Sequence, residues 1–303
     1  MRRRSSRILV AAGLLFASSS VVFATDSLPE PRRLTSTVTV DGVYSPDGSW
    51  IAFASNRMGN DPDNLDLYRM NADGTHVERL TKDSTNDEQP AISPDGRWIA
   101  FMSMRTGNPE IYVMRSDGHA VRQLTNDPGW DIHPRWAPDS VHVLFNSTRG
   151  SVNTEEPELF ELYLIAIDGS GLRQVTRDKA VSTYATPSPD GKRIVYRKIV
   201  DGNSEVFVAN ADGSGQVNLT KDASFDGWPT WAPDGTRIAF ASNRGGDEKI
   251  FEIYVMNADG SSPRKLTALG VRSTAPEFSR DDRSILFTGA GAGCADLYSI
   301  PLP

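Results

Sequence analysis

The chain has 303 residues, 39 of them acidic and 32 basic, for a net charge of −7, and it holds a single cysteine. The acidic balance argues against a protein that tracks nucleic-acid phosphates. One cysteine excludes an intrachain disulfide, so the fold must rest on its hydrophobic core.

The first segment reads as a leader. Arg2, Arg3, Arg4 and Arg7 precede an apolar or small stretch from Ile8 to Phe23, and Val22 and Ala24 are small residues where a signal peptidase would cut. That stretch is short of the roughly 20 residues of a membrane span. The expectation is a secretory signal over residues 1–24 and one mature domain over residues 25–303. The leader takes four basic residues and no acidic ones with it, leaving a net charge of −11. Such a charge favours solubility and cationic partners or ions. No later apolar run is long enough to span a bilayer.

Beyond the leader the chain repeats. Arg33-Leu34-Thr35 stands alone first. A Ser/Ala-Pro-Asp-Gly turn follows at Ser45, Ser93, Ser188 and Ala232, with degenerate copies at Ala137 and Ser279. Each turn leads into an apolar run ending in an aromatic, from Ile51-Ala52-Phe53 to Ile285-Leu286-Phe287. An aliphatic–aromatic pair comes next, from Leu67-Tyr68 to Leu297-Tyr298. Five copies then have an Asp-Gly turn and a Leu-Thr or Val-Thr element, as at Asp117-Gly118 and Leu124-Thr125. β-Branched and aromatic residues suit a pleated surface, and Asp-Gly supplies the positive φ of a tight hairpin. Four-stranded units of this length are propeller blades. The sixth copy lacks its Leu-Thr strand, and Leu34-Thr35 can supply it. The fold class is therefore all-β: a six-bladed β-propeller closed by pairing the N-terminal strand with the C-terminal blade. An open solenoid of six units is the alternative.

Blade five spells the pattern most fully: Pro229 to Gly235, Ile238 to Arg244, Ile253 to Gly260, then Leu266-Thr267. This resembles the WD-like repeat of TolB-type periplasmic propellers, over nearly all of the mature chain. The family carries an α/β domain ahead of its propeller. Only a short stretch precedes the first blade here, so the resemblance is to the propeller half. It implies an exported, non-catalytic scaffold, periplasmic or secreted, that binds an envelope protein or peptide. A monomer is expected, with no nucleic-acid partner. A role in the Tol–Pal system does not follow.

Naming the strands a to d along each blade, the a–b and c–d turns share one face. The b–c loops and d–a connections share the other. That second face holds two acidic loops, Met58 to Asp66 and Arg149 to Glu161, read as solvated or as seats for a cation or basic partner. The d–a connections bring Asp87, Gln89, Trp130, Asp131, His133, Tyr184, Asp226 and Trp228 to the channel mouth. Aromatics beside carboxylates suit a peptide, a small molecule or a glycan; they equally suit closure of the gap between blades. Asp87 and Arg105, Asp131 and Arg149, and Asp226 and Arg244 recur at one spacing, while blades four and six lack both members. That co-occurrence predicts an ion pair bracing each of three blades.

Chemistry is sparse in the sequence. No His/Cys cluster has zinc spacing. Neither a nucleophile elbow nor a phosphate-cradling loop occurs. Cofactors are therefore expected to be none, with a calcium or other cation in the channel left open. Cys294 reads as an incidental thiol that could be buried, and Gly289 to Gly293 as a flexible b–c loop. The alternative function is a carbohydrate-binding or carbohydrate-active propeller using Asp87, Asp131, His133 and Asp226.

Overall fold

The computed structural model describes residues 28–57, 64–151, 159–291 and 293–302. The expected leader lies outside them, as do Asp61, Asp63, Glu155, Glu156 and Glu158 of the two acidic loops.

Six four-stranded antiparallel sheets stand in sequence order, each with strand a at one edge and strand d at the other. Blade two is representative, with strands Asp87–Ile92, Trp98–Ser103, Glu110–Arg115 and Arg122–Gln123. Blade six is built from Arg272–Phe278, Ser284–Gly291 and Cys294–Pro301, and its fourth strand is Arg32–Arg33 from the other end of the chain. Arg32 pairs with Ser299 and Arg33 with Tyr298, so the ring closes as the repeat count demands.

The turns explain why the sequence reverses where it does. At Ser45 to Gly48 the Gly48 N–H donates to the Ser45 carbonyl at 2.9 Å, and Gly48 has φ 71°. The Asp47 carboxylate accepts from the Ser45 hydroxyl at 2.6 Å and from the Ser49 N–H at 3.0 Å, an Asx turn. The Ser45 hydroxyl and then the Ser49 N–H pull the Asp47 carboxyl down to about 2. In the c–d turns glycine has a second reason. Gly118 has φ 85°, and a Cβ there would stand 3.0 Å from the Leu80 carbonyl oxygen of the preceding blade.

The core is six clusters, each straddling two neighbouring blades. One joins Val43 and Leu67 of blade one to Phe101 and Tyr112 of blade two. Another joins Tyr44, Phe53 and Tyr68 of blade one to Leu286 and Leu297 of blade six, so the closure is hydrophobic as well as hydrogen-bonded. The aromatics that end the second strand, Phe53, Phe101, Phe145, Tyr196, Phe240 and Phe287, are all fully buried. Each stabilises the fold by roughly 1.5–3 kcal/mol.

A carboxylate ties strand c to strand d in every blade. Asp66, Glu110, Glu161 and Glu252 open strand c, Glu205 and Asp296 stand two residues inside theirs, and all six are buried. Each accepts from a threonine hydroxyl: Thr81, Thr125, Thr176, Thr220, Thr267 and, across the closure, Thr35. The same hydroxyl accepts the next backbone N–H of strand c at 2.9–3.1 Å. This corrects the reading of Asp66 and Glu161 as loop acids: they are fasteners of the sheet. Gly289 to Gly291 also differs from expectation, because strand b continues through it and pairs Gly291 with Cys294. Cys294 is exposed at that hairpin rather than buried.

Candidate binding site in the central channel

Strand a lines the channel, and a single irregularity repeated six times aims its side chains. In every blade the a–b register slips, between Val40 and Val43 in blade one and between Ile132 and Arg135 in blade three. Inside each slip sits one residue with positive φ: Asp41, Gln89, His133, Tyr184, Trp228 or Ala275, all between 50° and 57°. Left-handed backbone is costly for such residues, on the order of 1–3 kcal/mol each, and survives only where the surroundings impose it. A β-bulge re-aims the side chain it carries. Because all six blades share the bulge, it belongs to the architecture; the side chains it presents differ from blade to blade.

These six residues wall a pocket of about 540 Å³, part of it open to solvent. Its two halves differ chemically. On one side the His133 and Tyr184 rings lie 4.0 Å apart and the Tyr184 and Trp228 rings 5.3 Å apart, a continuous aromatic wall across three blades. Arg272 covers the Trp228 ring at 5.6 Å. The other side is polar. Burial pushes the Asp41 carboxyl up, against the nearby Arg135 guanidinium and the Gln89 backbone N–H, which favour its charged form, and the His133 N–H donates to Gln89 Oε1 at 2.7 Å. The Asn146 side-chain amide and His133 Nδ1 are hydrogen-bonded at 2.8 Å. Burial, then the nearby Arg135 and Arg197 guanidiniums, push the His133 pKa down to about 3. The ring is therefore neutral at ordinary pH.

Of the eight residues singled out in the sequence, four meet here: Gln89, His133, Tyr184 and Trp228. They lie in strand a itself rather than in the d–a connections, since the strand resumes pairing on the far side of its bulge. Asp87, Asp131 and Asp226 do not join the pocket. They open strand a and are fully buried in the braces that the spacing predicts. Arg105 Nη2 donates to both Asp87 oxygens at 2.9 Å, Arg244 donates to Asp226 at 2.6 Å, and Arg149 pairs with Asp131. Each arginine also lies over a Phe and a Tyr of its own blade. Burial pushes these three carboxyls up despite their arginines, and Asp131 reaches about 7. Trp130 also stays out of the pocket. It stands just before strand a of blade three, 56% exposed.

The pocket holds two further charged side chains, Asp41 and Arg135, which sequence reasoning missed. The signal was available. Asp41 is in phase with Gln89, His133 and Trp228, one residue before the slot that holds Pro90, Pro134 and Pro229, but Gly42 stands in that slot. Beside Asp41, burial first and then the Asp41 charge raise Glu88 to about 7. Among the described residues no three His, Cys, Asp or Glu side chains gather as a metal site would need, and no helix is long and apolar enough to cross a membrane.

Two family models match the chain: the Tricorn protease N-terminal β-propeller domain over residues 63–164 and the TolB β-propeller domain over residues 188–253. A protein TolB homolog of Chlorobium luteolum is 29% identical over 142 residues, 47% of this chain and 31% of that protein. The crystal structure of TolB from Acinetobacter baumannii superposes with a TM-score of 0.69 at 23% identity, over 82% of this chain and 60% of that one. The chain thus spans less than two thirds of either relative. An oligogalacturonate lyase of Vibrio parahaemolyticus superposes with a TM-score of 0.60 at 17% identity, over 92% of this chain and 95% of that one. At these identities the structural likenesses speak to the fold.

Proposed function

Starting from a chain that is a TolB-type β-propeller, we propose that it is a non-catalytic binding scaffold of the cell envelope, periplasmic or secreted. It takes a protein or peptide partner on the face that carries the b–c loops. The observation behind this reading is the convergence of Gln89, His133, Tyr184 and Trp228 from four blades on one preformed, half-aromatic pocket. Rigid walls of mixed chemistry favour binding, because little ordering entropy is spent when a ligand enters. Trp130, exposed on the same face, offers an aromatic anchor of the kind that dominates interfaces.

His133 supports binding over turnover. Its Nδ1 is occupied by Asn146 and its pKa of about 3 is far from the poise a general base needs near neutrality. Three of the four residues that a carbohydrate-active reading would use, Asp87, Asp131 and Asp226, are held in braces, which weighs against that alternative.

Affinity capture tests the proposal. The folded protein is immobilised, exposed to envelope and periplasmic extract, and compared with a Trp130→Ala, His133→Ala, Trp228→Ala variant. A partner retained by the native protein and lost by the variant is the expected result. Native protein that retains no protein partner but binds an oligosaccharide would shift the reading to a glycan receptor.

A further inference from the structure

The asymmetry of the channel pocket says more about its ligand than the pocket's existence does. Asp41 and Tyr184 belong to blades one and four, opposite members of a six-membered ring. The Asp41 charge is felt at the Tyr184 hydroxyl, which it helps push upward after burial has done most of the work. The carboxylate thus faces the aromatic wall across the pocket. Arg135 at a distance and the Gln89 backbone N–H favour its charged form against burial, and among the described residues no cation lies within ion-pair distance of it. The buried acids that open strand a elsewhere, Asp87, Asp131 and Asp226, each have their own arginine. Glu88 adds a second carboxyl beside Asp41, raised by burial first and then by the Asp41 charge. The nearest counter-charge, Arg135, lies two residues deeper along strand a of blade three, beneath His133.

We infer that the loop-face end of the channel is a receptor for a primary ammonium group, received by the Asp41 carboxylate with Glu88 beside it and by the Tyr184 ring in the aromatic wall opposite. A carboxylate on one side and electron-rich ring faces on the other are the two ways proteins stabilise a partly desolvated ammonium. The aromatic wall also favours an apolar group next to the charge. The inference rests on the pocket being the binding seat, and it names what that seat selects. The ammonium can be a peptide's α-amino terminus or a lysine side chain; both present the same chemistry to Asp41.

Calorimetry on the full chain separates these cases with three probes: L-phenylalaninamide, its N-acetylated form, and Nα-acetyl-lysinamide. Phenylalaninamide is expected to bind at least tenfold more tightly than its neutral, acetylated form. Asp41→Asn should erase that difference. Asparagine tolerates the positive φ of this position and still accepts the Gln89 N–H, so the fold should stand. Glu88→Gln should weaken binding by a smaller factor. Binding of the lysine probe alone would assign the ammonium to a side chain and leave the inference intact. Equal binding of acetylated and free phenylalaninamide, unchanged binding by Asp41→Asn, or no binding of either ammonium probe overturns it. The scaffold reading fails separately. A partner captured equally by native and Asp41→Asn protein keeps the scaffold and sinks the ammonium receptor, while probe binding without any captured protein does the reverse.

Discussion

Blades two, three and five finish their loop-face ends differently from blades four and six. In the first group strand b stops at a serine, Ser103, Ser147 or Ser242. Two residues later an arginine folds back, with its Nε donating to that serine at 2.8–3.0 Å and its guanidinium on the buried aspartate of strand a. In the second group the aspartate is replaced by Ser182 or Ser273, and the strands run on. Blade four pairs through Val200 with Asn203, and blade six through Gly291 with Cys294. The rings that an arginine covers elsewhere are met in blade four by Lys198 over Phe207. In blade six Phe287 stacks on Tyr298, and Gly289 packs against that tyrosine. Blade one is intermediate: Arg57 lies over the Phe53 and Tyr68 rings, but Thr39 stands where the aspartate would be, and the guanidinium meets the hydroxyls of Thr39, Thr37 and Ser55. The ion brace is thus a terminator. Where it is present the sheet ends; in blades four and six, which lack both members, two extra rungs of hairpin take over.

The sharpest way to break this comparison is to remove one cation from each group. Arg149→Met leaves the Asp131 carboxylate buried and uncompensated, and should cost about 3–5 kcal/mol in chemical denaturation. Lys198→Met strips a cation from Asp178, which keeps access to water, and should cost about 1 kcal/mol or less. Equal losses would mean the brace carries no special weight. The Arg149 effect should also depend on pH. Asp131 has a raised folded pKa, so its contribution is complete below the ordinary carboxylate value and is lost as pH rises through about 7. Without Arg149 that carboxyl rises further, so the variant's deficit should grow from pH 5 to pH 8.

Thr35→Val comes second. It removes the donor to Asp296 Oδ1 and the acceptor for the Leu297 N–H, leaving that oxygen and that N–H buried without their partner while Arg33 keeps the other carboxylate oxygen, for about 1–3 kcal/mol. Thr125→Val deletes the same pair of bonds inside blade two, where both strands are also held by local chain. A larger loss of thermal stability at Thr35 than at Thr125 would locate the weak point at the closure.

Next in size is acid. The six a–b turn aspartates, 47, 95, 139, 190, 234 and 281, all titrate below the ordinary carboxylate value because hydroxyl and backbone donors hold the charged form. Partial burial opposes this at Asp95 and Asp139. Depressed groups contribute stability that is present above the unfolded pKa and lost as pH falls through the folded one. Unfolding free energy should therefore fall steeply between about pH 4 and pH 2. A flat profile there would show that the turns contribute little. The smallest effect belongs to Ser182→Ala. The Ser182 hydroxyl is buried without a partner, so its removal should be neutral or stabilising by up to about 1 kcal/mol, opposite in sign to Asp131→Ala.

How far the sequence discloses this molecule depends on whether a residue repeats. The turns, the buried aromatics and the three braces recur at fixed spacing, and each stands where the repeat puts it. Asp66 and Glu161 recur too, but each adjoins a run of further acids, and that run hid their pairing with Thr81 and Thr176. Asp41 was overlooked for the opposite reason. Its slot is defined by a backbone bulge, which has no residue of its own, and the side chains in the slot share no chemistry from blade to blade. Repetition reveals a scaffold; a binding pocket is the set of places where the repeat varies.

The closure has a consequence for how the chain reaches this state. Five of the six inter-blade clusters join neighbours in sequence and can assemble as the polypeptide lengthens. The sixth must bring Thr35 to Asp296 across 261 residues, and such distant contacts form late because the entropy of closing the loop is met before they return anything. Until then blade one offers an unmatched flank, with Tyr44 and Phe53 uncovered. Synthesis and ring completion are therefore ordered in time. The interval before the last strand arrives is when this protein is most exposed to aggregation, to proteases and to the holding chaperones that meet an emerging chain.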